Sequence, residues 1–180
     1  MGTDCIFCQM TRNERPCHII DSNDEFMVFL TIFPNTLGAA VVIPKKHYTS
    51  YAFDLDDEVL TGLMLYTKKV AKKLDGFFED VGRTAMVFEG FGVDHVHAKL
   101  FPMHGTKQVH ENWQAVNSNV DKYFEQYEGY IFRMIFSEQM MESWRSWLKR
   151  LEGNRLFYFP LGKMKKLFFD CTQSLEYSNT

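Results

Sequence analysis

The segment 95–101, His-Val-His-Ala-Lys-Leu-Phe, carries the residues of this chain that are best suited to chemistry. Polar and apolar residues alternate in it with a period of two, which predicts a half-buried strand. Successive side chains of a strand point to opposite faces, so we expect His95, His97 and Lys99 to share one face while the residues between them enter a core. The alternative interpretation is a solvated strand face that happens to carry two histidines.

A second group of reactive side chains lies earlier in the chain. Cys5 and Cys8 form a C-x-x-C pair, and His47 follows a strongly apolar run that ends at Pro44. Two thiols and two imidazoles would complete a closed tetrahedral zinc site, which favours the chemical interpretation of the histidines. The alternatives for the cysteine pair are coincidence or a redox site. A thioredoxin-type redox site needs a preceding strand, and only four residues precede Cys5.

Composition limits the classes of protein to which the chain can belong. The 180 residues suffice for one domain with a substantial core. The net charge of −3 gives no reason to expect a nucleic-acid partner. We see no apolar run long enough to cross a membrane and no signal peptide, so we expect a cytoplasmic protein without membrane association. In that compartment the four cysteines are expected as thiols.

The elements that must position these residues can be predicted from periodicity and turn signals. We expect strands at about 17–21, 26–30, 39–43 and 84–88, in addition to the histidine segment. The nearly continuous apolar character of 39–43 suggests a central strand covered on both faces, although an antiparallel partner is equally possible.

One long helix is predicted from about Asp54 to Asp75. Asp54 or Asp56 can cap it, acidic residues occupy its first turn, and Gly76 can end it. One apolar stripe is predicted to face the core. It contains Val59, Leu60, Leu63, Met64, Thr67, Val70, Ala71 and Leu74. Four lysines, Lys68, Lys69, Lys72 and Lys73, are interpreted as a solvated face rather than a nucleic-acid patch.

Several separated motifs together resemble the histidine triad (HIT) family of nucleotide hydrolases and transferases. The resemblance covers about residues 4–105 and fades after Gly105. It implies an α+β fold with an antiparallel sheet of about five strands, a long helix on one face and a C-terminal extension. We therefore expect a catalytic domain at 1–110 and an extension at 111–180. The matching segments are 5–8, 24–29, 32–34, Gly38, 42–47 and 95–99.

The resemblance also implies roles for the reactive residues. His97 matches the covalent nucleophile, which would attack an α-phosphate and form a nucleotidyl-histidine. Its other ring nitrogen should be held by a backbone carbonyl or a carboxylate. Members with an N-terminal C-x-x-C bind structural zinc, and this ligand set carries over as Cys5, Cys8, His47 and His95. A competing view places His95 in a catalytic hydrogen-bond chain without metal.

The chain departs from the family pattern near the substrate. Lys99 stands where the family has the third histidine of the triad, and one branch of the family also lacks that histidine. The lysine can assist the phosphate as a point charge. Thr31 stands where many members have an acidic residue for the ribose. Gly92 stands where the family has a serine. Glu89 stands where it has an asparagine, and its charge would repel phosphate unless it is turned away or paired.

The resemblance predicts a purine nucleotide as the partner. Ile6, Phe7, Met10 and Phe29 could sandwich the base, although any core also needs apolar residues. The predicted function is hydrolysis or nucleotidyl transfer at the α-phosphate of a nucleoside phosphoramidate or a dinucleoside polyphosphate such as diadenosine tetraphosphate. The alternative is a catalytically weak nucleotide-binding or partner-binding module with a structural zinc. The resemblance also implies a homodimer.

The C-terminal part of the chain is less informative. Residues 111–127 are compatible with a helix or an irregular arm, and 137–151 is predicted as a helix. Residues 156–169 interleave aromatic and basic side chains, which we interpret as a packing surface on the domain or on a dimer partner. Binding of single-stranded nucleic acid by this segment is the weaker alternative.

Overall fold

The computed structural model of the protein describes residues 5–117 and 123–129. In this part of the chain, five strands form one antiparallel sheet in the order β1-β2-β3-β5-β4. The strands are β1 His18–Ser22, β2 Phe26–Leu30, β3 Ala40–Pro44, β4 Thr84–Val87 and β5 Ala98–Pro102. The helices are α1 Ile6–Thr11, α2 Asp57–Phe77 and α3 Lys107–Glu111, with a 3-10 turn at Ala52–Asp54. The predicted α+β fold is confirmed.

Strands β2 and β3 are buried along their whole length because both faces of the sheet are covered. Val28 and Leu30 of β2 join the large core beneath α2, whereas Met27 and Phe29 join a smaller apolar cluster on the opposite face. This arrangement explains why β2 and β3 read as continuous apolar runs although every neighbour of β3 is antiparallel. The second face also carries Lys99, which pairs with Val41 across β3 and β5.

Helix α2 covers the first face with five buried residues, Leu63, Tyr66, Thr67, Val70 and Leu74. The predicted stripe is correct at four of these positions. It misplaces Met64, which is 39% exposed, and it omits Tyr66, whose ring stacks on Phe26 at a centroid distance of 5.3 Å. Of the four lysines, Lys73 is partly buried because its side chain crosses to β1, and the other three are exposed.

Both ends of α2 differ from the prediction. The N-cap position is Asp56, but its side chain makes no capping hydrogen bond. Gly76 lies inside the helix, which continues to Phe77. The helix ends one residue later because Phe78 turns into the core, where its ring lies against Gly38. Gly38 has φ +79°, and a Cβ at this position would lie 2.6 Å from that ring, so only glycine fits without a shift.

The histidine segment is strand only in its second half. The strand was predicted from His95, but β5 begins at Ala98. The partner strand β3 ends at Pro44, which has no backbone N–H to continue the ladder. The N–H of Val96 instead donates to the carbonyl of Tyr48 at 3.0 Å. The alternation of faces nevertheless extends back to Val96, which is fully buried in the core beneath α2.

The short helix α1 was not predicted, because residues 1–16 carry no long apolar stripe. After α3, the described residues 112–117 and 123–129 contain no helix, which favours the irregular arm for this part. The predicted helix at 137–151 and the aromatic and basic segment at 156–169 lie outside the described residues. The division of the chain at residue 110 stays a prediction.

Candidate functional site

His97 lies on the second face of the sheet just before β5, and its side chain is 2% exposed. Its Nδ1 lies 2.7 Å from the backbone carbonyl oxygen of His95. A carbonyl can only accept a hydrogen bond, so Nδ1 carries the proton and Nε2 keeps its lone pair. Burial lowers the pKa of His97 below its ordinary value, against the opposing effect of the His95 carbonyl. The ring is therefore neutral at neutral pH and has the tautomer that a nucleophile needs.

Four predicted metal ligands meet at the end of the same face. The candidate ligand atoms of Cys5, Cys8, His47 and His95 all lie within 4.8 Å of one another. The Sγ of Cys5 is 3.4 Å from Nδ1 of His95, and the Sγ of Cys8 is 3.4 Å from Nδ1 of His47 and 3.6 Å from Nδ1 of His95. The four side chains could together hold a metal ion.

Three separate segments supply these ligands. Cys5 is the N-cap residue of α1 and Cys8 lies one turn later, so the helical spacing brings both thiols to one side. His47 lies in the loop after β3, and His95 lies in the loop before β5. The unpredicted helix α1 is thus the element that turns a C-x-x-C sequence into two convergent thiols.

His95 connects the cysteine cluster with His97. Its Nε2 lies 2.9 Å from the carbonyl oxygen of Pro44 and donates to it, which leaves Nδ1 unprotonated toward the two thiols. Burial lowers the pKa of His95 to about 4, so the imidazole is neutral. Burial, followed by the hydrogen bond with Cys5, raises the pKa of the Cys8 thiol. The ring of His95 faces the cysteines while its backbone carbonyl orients His97.

The solvated-face interpretation of the histidine segment does not hold, because His95, His97 and Lys99 are all buried. Phe7 of α1 accounts for much of this covering. Its ring lies edge-on to the ring of His97 at a centroid distance of 5.4 Å and to the ring of His95 at 5.8 Å. The ring of Phe7 therefore covers both His95 of the cysteine and histidine cluster and His97.

The loop between β4 and β5 is fixed to the loop that carries His47. Asp94 accepts a hydrogen bond from the backbone N–H of Ser50 at 2.9 Å, and this bond lowers the pKa of the Asp94 carboxyl. Gly90 has φ +80°, and a Cβ there would lie 2.8 Å from the carbonyl oxygen of Ser50. Close approach of the two loops thus requires glycine at position 90. Gly92 is exposed, with open space around its Cα.

Lys99 does not present an isolated charge on the sheet face. Its Nζ forms an ion pair with Oε2 of Glu89, and the two side chains are 6% and 4% exposed. The other carboxylate oxygen of Glu89 accepts a hydrogen bond from the hydroxyl of Tyr127. Tyr127 also places its ring against Phe91, at a centroid distance of 5.6 Å. Glu89 is therefore paired, which was one of the two arrangements considered for it.

The predicted substrate-binding residues occupy two different environments. Phe7 and Phe29 are buried in the smaller apolar cluster, with rings 5.4 Å apart, and Ile6 is partly buried against it. Thr31 lines a groove beside Lys99, together with Phe33, Asn35, Ala39, Ala40, Val41 and Phe101. The structure thus brings Thr31 and Lys99 to one groove and places the ring of Phe7 next to His95 and His97.

Two contributors to this region were not identified from the sequence. Asp94 joins the two loops through the backbone N–H of Ser50, 44 residues earlier in the chain. Tyr127 was not assigned because residues 111–127 gave no firm element. Its hydroxyl finds Glu89 across 38 residues of sequence, and no local pattern signals such a contact.

Comparison with known proteins identifies relatives for most of the described chain. The family model described as HIT domain matches residues 12–106. An uncharacterized HIT-like protein of Methanocaldococcus jannaschii is 31% identical over 132 residues, which cover 69% of this chain and 99% of that protein. The adenosine 5'-monophosphoramidase HNT1 of Saccharomyces cerevisiae is 34% identical over 123 residues, which cover 66% of this chain and 75% of the yeast protein.

Solved structures agree with the observed fold. A HIT-like protein from Bartonella henselae, described as involved in cell-cycle regulation, aligns with a TM-score of 0.50 and 26% identity. The alignment covers 62% of this chain and 92% of that one. A HIT family protein from Bacillus anthracis aligns with a TM-score of 0.52 and 21% identity, over 83% of this chain and 98% of that one, and supports the fold.

Proposed function

Since the chain belongs to the histidine triad (HIT) family, we propose that it is a nucleotide hydrolase or nucleotidyltransferase that acts through His97. The observation that carries this proposal is the hydrogen bond from Nδ1 of His97 to the carbonyl of His95, which frees Nε2 on a buried, neutral ring. This is the arrangement expected of an activated nitrogen nucleophile.

The proposed reaction has two displacement steps at the α-phosphorus. In the first, Nε2 of His97 forms a bond to phosphorus while the bond to the leaving group breaks, and a nucleotidyl-histidine results. In the second, water or another acceptor forms a bond to phosphorus and the bond to Nε2 breaks. The backbone carbonyl of His95 holds the Nδ1 proton throughout, so the ring keeps its orientation. Lys99 is proposed to offset negative charge on the phosphoryl oxygens.

We propose a purine nucleotide with a nitrogen or phosphate leaving group as the substrate. The printed activity of the yeast relative, adenosine 5'-monophosphoramidase, supports a nucleoside phosphoramidate. Diadenosine tetraphosphate stays the second candidate. Ile6, Phe7 and Phe29 are proposed at the base and Thr31 at the ribose, and the groove shared by Thr31 and Lys99 supports the latter assignment.

Zinc is the metal that the cysteine and histidine cluster fits best. Two thiolates and two imidazoles are a common structural zinc set, with zinc–sulfur and zinc–nitrogen bonds of about 2.3 and 2.0 Å. Tetrahedral geometry with those bonds separates sulfur from nitrogen by roughly 3.5 Å. The observed separations of 3.4, 3.4 and 3.6 Å match this value. Zinc would supply cross-linking of Cys5, Cys8, His47 and His95, rather than an open position for water.

Within the described residues, the structure contains no helix of the length and apolar character needed to span a membrane. The cytoplasmic location and the homodimer stay predictions. A nucleic-acid partner is not part of the proposal.

The proposal is tested by incubating the wild-type protein, His97→Ala and the control His110→Ala with adenosine 5'-phosphoramidate and diadenosine tetraphosphate. His110 is an exposed histidine on α3 and is not part of the site. We expect the wild type and the control to release AMP, and His97→Ala to lose at least about 100-fold in rate. Mass spectrometry of a quenched sample should detect the nucleotidyl adduct on His97. Turnover by His97→Ala at the wild-type rate would contradict the assignment.

The catalytically weak binding module is the second candidate, and the buried Glu89–Lys99 pair favours it because the pair balances the charge of the only lysine in the groove among the described residues. Binding of AMP without any turnover or adduct in the wild-type protein would select this candidate.

A further inference from the structure

Glu89 brings a carboxylate to Lys99, one of the residues that line the groove beside Thr31. The side chain of Glu89 is 4% exposed, and its Oε2 forms an ion pair with the ammonium of Lys99. Both carboxylate oxygens have partners, because Oε2 contacts Lys99 and Oε1 accepts from Tyr127. The carboxylate is thus held in one place by a cation on one side and a phenol on the other.

As a result, the positive charge of Lys99 in the groove is balanced by the negative charge of Glu89 directly behind it. A buried pair is screened much less by water and salt than a surface pair, so both charges act on a group that enters the groove. A phosphoryl group with one negative charge can share Lys99 with Glu89. A second negative charge gains no further cation from this pair and is repelled by the glutamate.

We propose that Glu89 determines substrate specificity by charge, favouring a phosphorus centre with one negative charge over a terminal phosphate with two or a polyphosphate chain. This inference rests on the proposed function and deepens it, because it selects singly charged phosphoramidates and phosphodiesters as the substrate class. Glu89 acts through Lys99 and through its own field, and Tyr127 holds its carboxylate in position.

A binding measurement tests the charge preference without requiring turnover. The probes are AMP, which carries two negative charges at pH 7.5 because the second phosphate pKa is about 6, and the methyl ester of AMP, which carries one. Calorimetry gives the ratio of the two dissociation constants for each variant. Relative to the wild type, we expect Glu89→Gln to shift this ratio toward AMP by about tenfold, since removal of one nearby charge is worth at least one decade at short range.

Three further variants separate the effect of the Glu89 charge from the effect of a local structural change. Glu58→Gln makes the same change at an exposed position on α2, which covers the opposite face of the sheet, and should leave the ratio unchanged. Tyr127→Phe removes the hydrogen bond but keeps the carboxylate, so the ratio should stay within about twofold. The double variant Glu89→Gln/Lys99→Met restores a net charge of zero and should keep the wild-type ratio, and it remains informative if Glu89→Gln alone fails to fold.

The kinetic arm compares kcat/KM for adenosine 5'-phosphoramidate and diadenosine tetraphosphate. Glu89→Gln should shift this ratio toward the tetraphosphate, mainly through KM, while Glu58→Gln should not. A binding ratio that is the same in the wild type and Glu89→Gln, or that moves equally in Tyr127→Phe, would overturn the charge account. Charge-dependent binding without turnover of either substrate would instead remove the proposed enzymatic function and leave Glu89 as a charge selector of a binding protein.

Discussion

At the scale of single residues, His95 and His97 are two positions apart but have different tasks. The ring of His95 points to Cys5 and Cys8, and its backbone carbonyl accepts the Nδ1 proton of His97. A bend at His95, before β5 begins, allows ring and carbonyl to serve different neighbours. Regular strand pairing would have engaged that carbonyl in the sheet ladder.

Gly90 provides a residue-scale prediction about the loop beside these histidines. Gly90→Ala should destabilise the protein by about 1–3 kcal/mol, because alanine disfavours φ +80° and its Cβ would lie 2.8 Å from the carbonyl oxygen of Ser50. Urea unfolding measures the change in the free energy of unfolding. Gly92→Ala is the matched control two residues away, where a Cβ meets nothing within 4 Å, and should change stability by less than about 0.5 kcal/mol. Equal effects of the two substitutions would refute the argument.

At the scale of elements, the sheet is attached to α2 by a charged contact as well as by the core. Asp21 of β1 forms an ion pair with Lys73 of α2, with 2.5 Å between Oδ2 and Nζ, and Lys69 lies 3.7 Å from the same oxygen. Burial alone would raise the pKa of the Asp21 carboxyl, but the hydrogen bond and charge of Lys73 outweigh it and the pKa is lowered.

The lowered pKa of Asp21 predicts a pH-dependent contribution to stability. Asp21→Asn should cost about 0.5–1 kcal/mol at pH 7, the value for a partly exposed ion pair. A folded pKa below the unfolded value gives stability that is present above the ordinary aspartate pKa of about 3.9 and is lost as pH falls through the folded pKa. The difference between wild type and variant should therefore vanish in strong acid. Unfolding curves at a series of pH values measure it.

Two lysine variants of α2 test the contact from the other side, one at the partner Lys73 and one at the control position Lys68. Lys73→Gln should destabilise like Asp21→Asn, and the double variant should cost little more than either single change, because the two residues share one interaction. Lys68→Gln, at an exposed position of the same helix, should have no comparable effect. A pH-independent loss in Asp21→Asn would show that packing rather than charge is responsible.

At the scale of the whole molecule, the cysteine and histidine cluster joins segments that are far apart in sequence. Cys8 and His95 are 87 residues apart, and their side chains are in contact. A metal bound to all four residues would tie α1 to the loop after β3 and to the loop before β5. Much of the restraint on the N-terminal segment would then come from metal binding, which contributes to the stability of the folded state.

We expect metal removal to destabilise the protein as a whole. Purified wild-type protein should contain one zinc per chain by elemental analysis, and a chelator or Cys8→Ala should lower Tm by more than about 5 °C. Cys17→Ala is the control, because Cys17 is outside the four-residue cluster. Burial raises the pKa of the Cys17 thiol to about 11, which makes it a poor ligand and a poor nucleophile at neutral pH. Full zinc content in Cys8→Ala would contradict the assigned ligand set.

The predicted homodimer is the second test at this scale. Large apolar side chains are exposed on α2 and on the edge strand β4, namely Met64 at 39%, Leu65 at 61% and Met86 at 38%. Light scattering should give about twice the chain mass of 21.2 kDa. Leu65→Glu should shift the mass toward the monomer, since a charge in an apolar interface is unfavourable. The control Phe53→Glu, at an exposed position before α2, should leave the dimer intact. A monomeric wild-type protein would contradict the predicted homodimer.

Strong local patterns in the sequence were enough to predict most of the strands and the long helix. The apolar runs at 26–30 and 84–87, the amphipathic α2 and the alternation from Val96 to Leu100 all appear within a residue or two of their predicted places. The spaced motifs also indicated the HIT family and a set of four possible metal ligands, and the structure brings these ligands together. These features can be predicted because periodicity and motifs depend on residues that are close together in the sequence.

The contacts between residues of the site depend on how distant segments meet in the fold, so they could not be predicted from the sequence. The end of β3 at Pro44 decided where β5 begins, and hence that the carbonyl of His95 is free to orient His97. The pairing of Lys99 with Glu89, and the contact of Glu89 with Tyr127, join residues 10 and 38 positions apart. Such contacts depend on which loops lie next to each other in the fold. A buried charge needs a partner, and the fold determines which residue that is. From the sequence, Glu89 was expected near the phosphate. In the structure it is the ion-pair partner of Lys99.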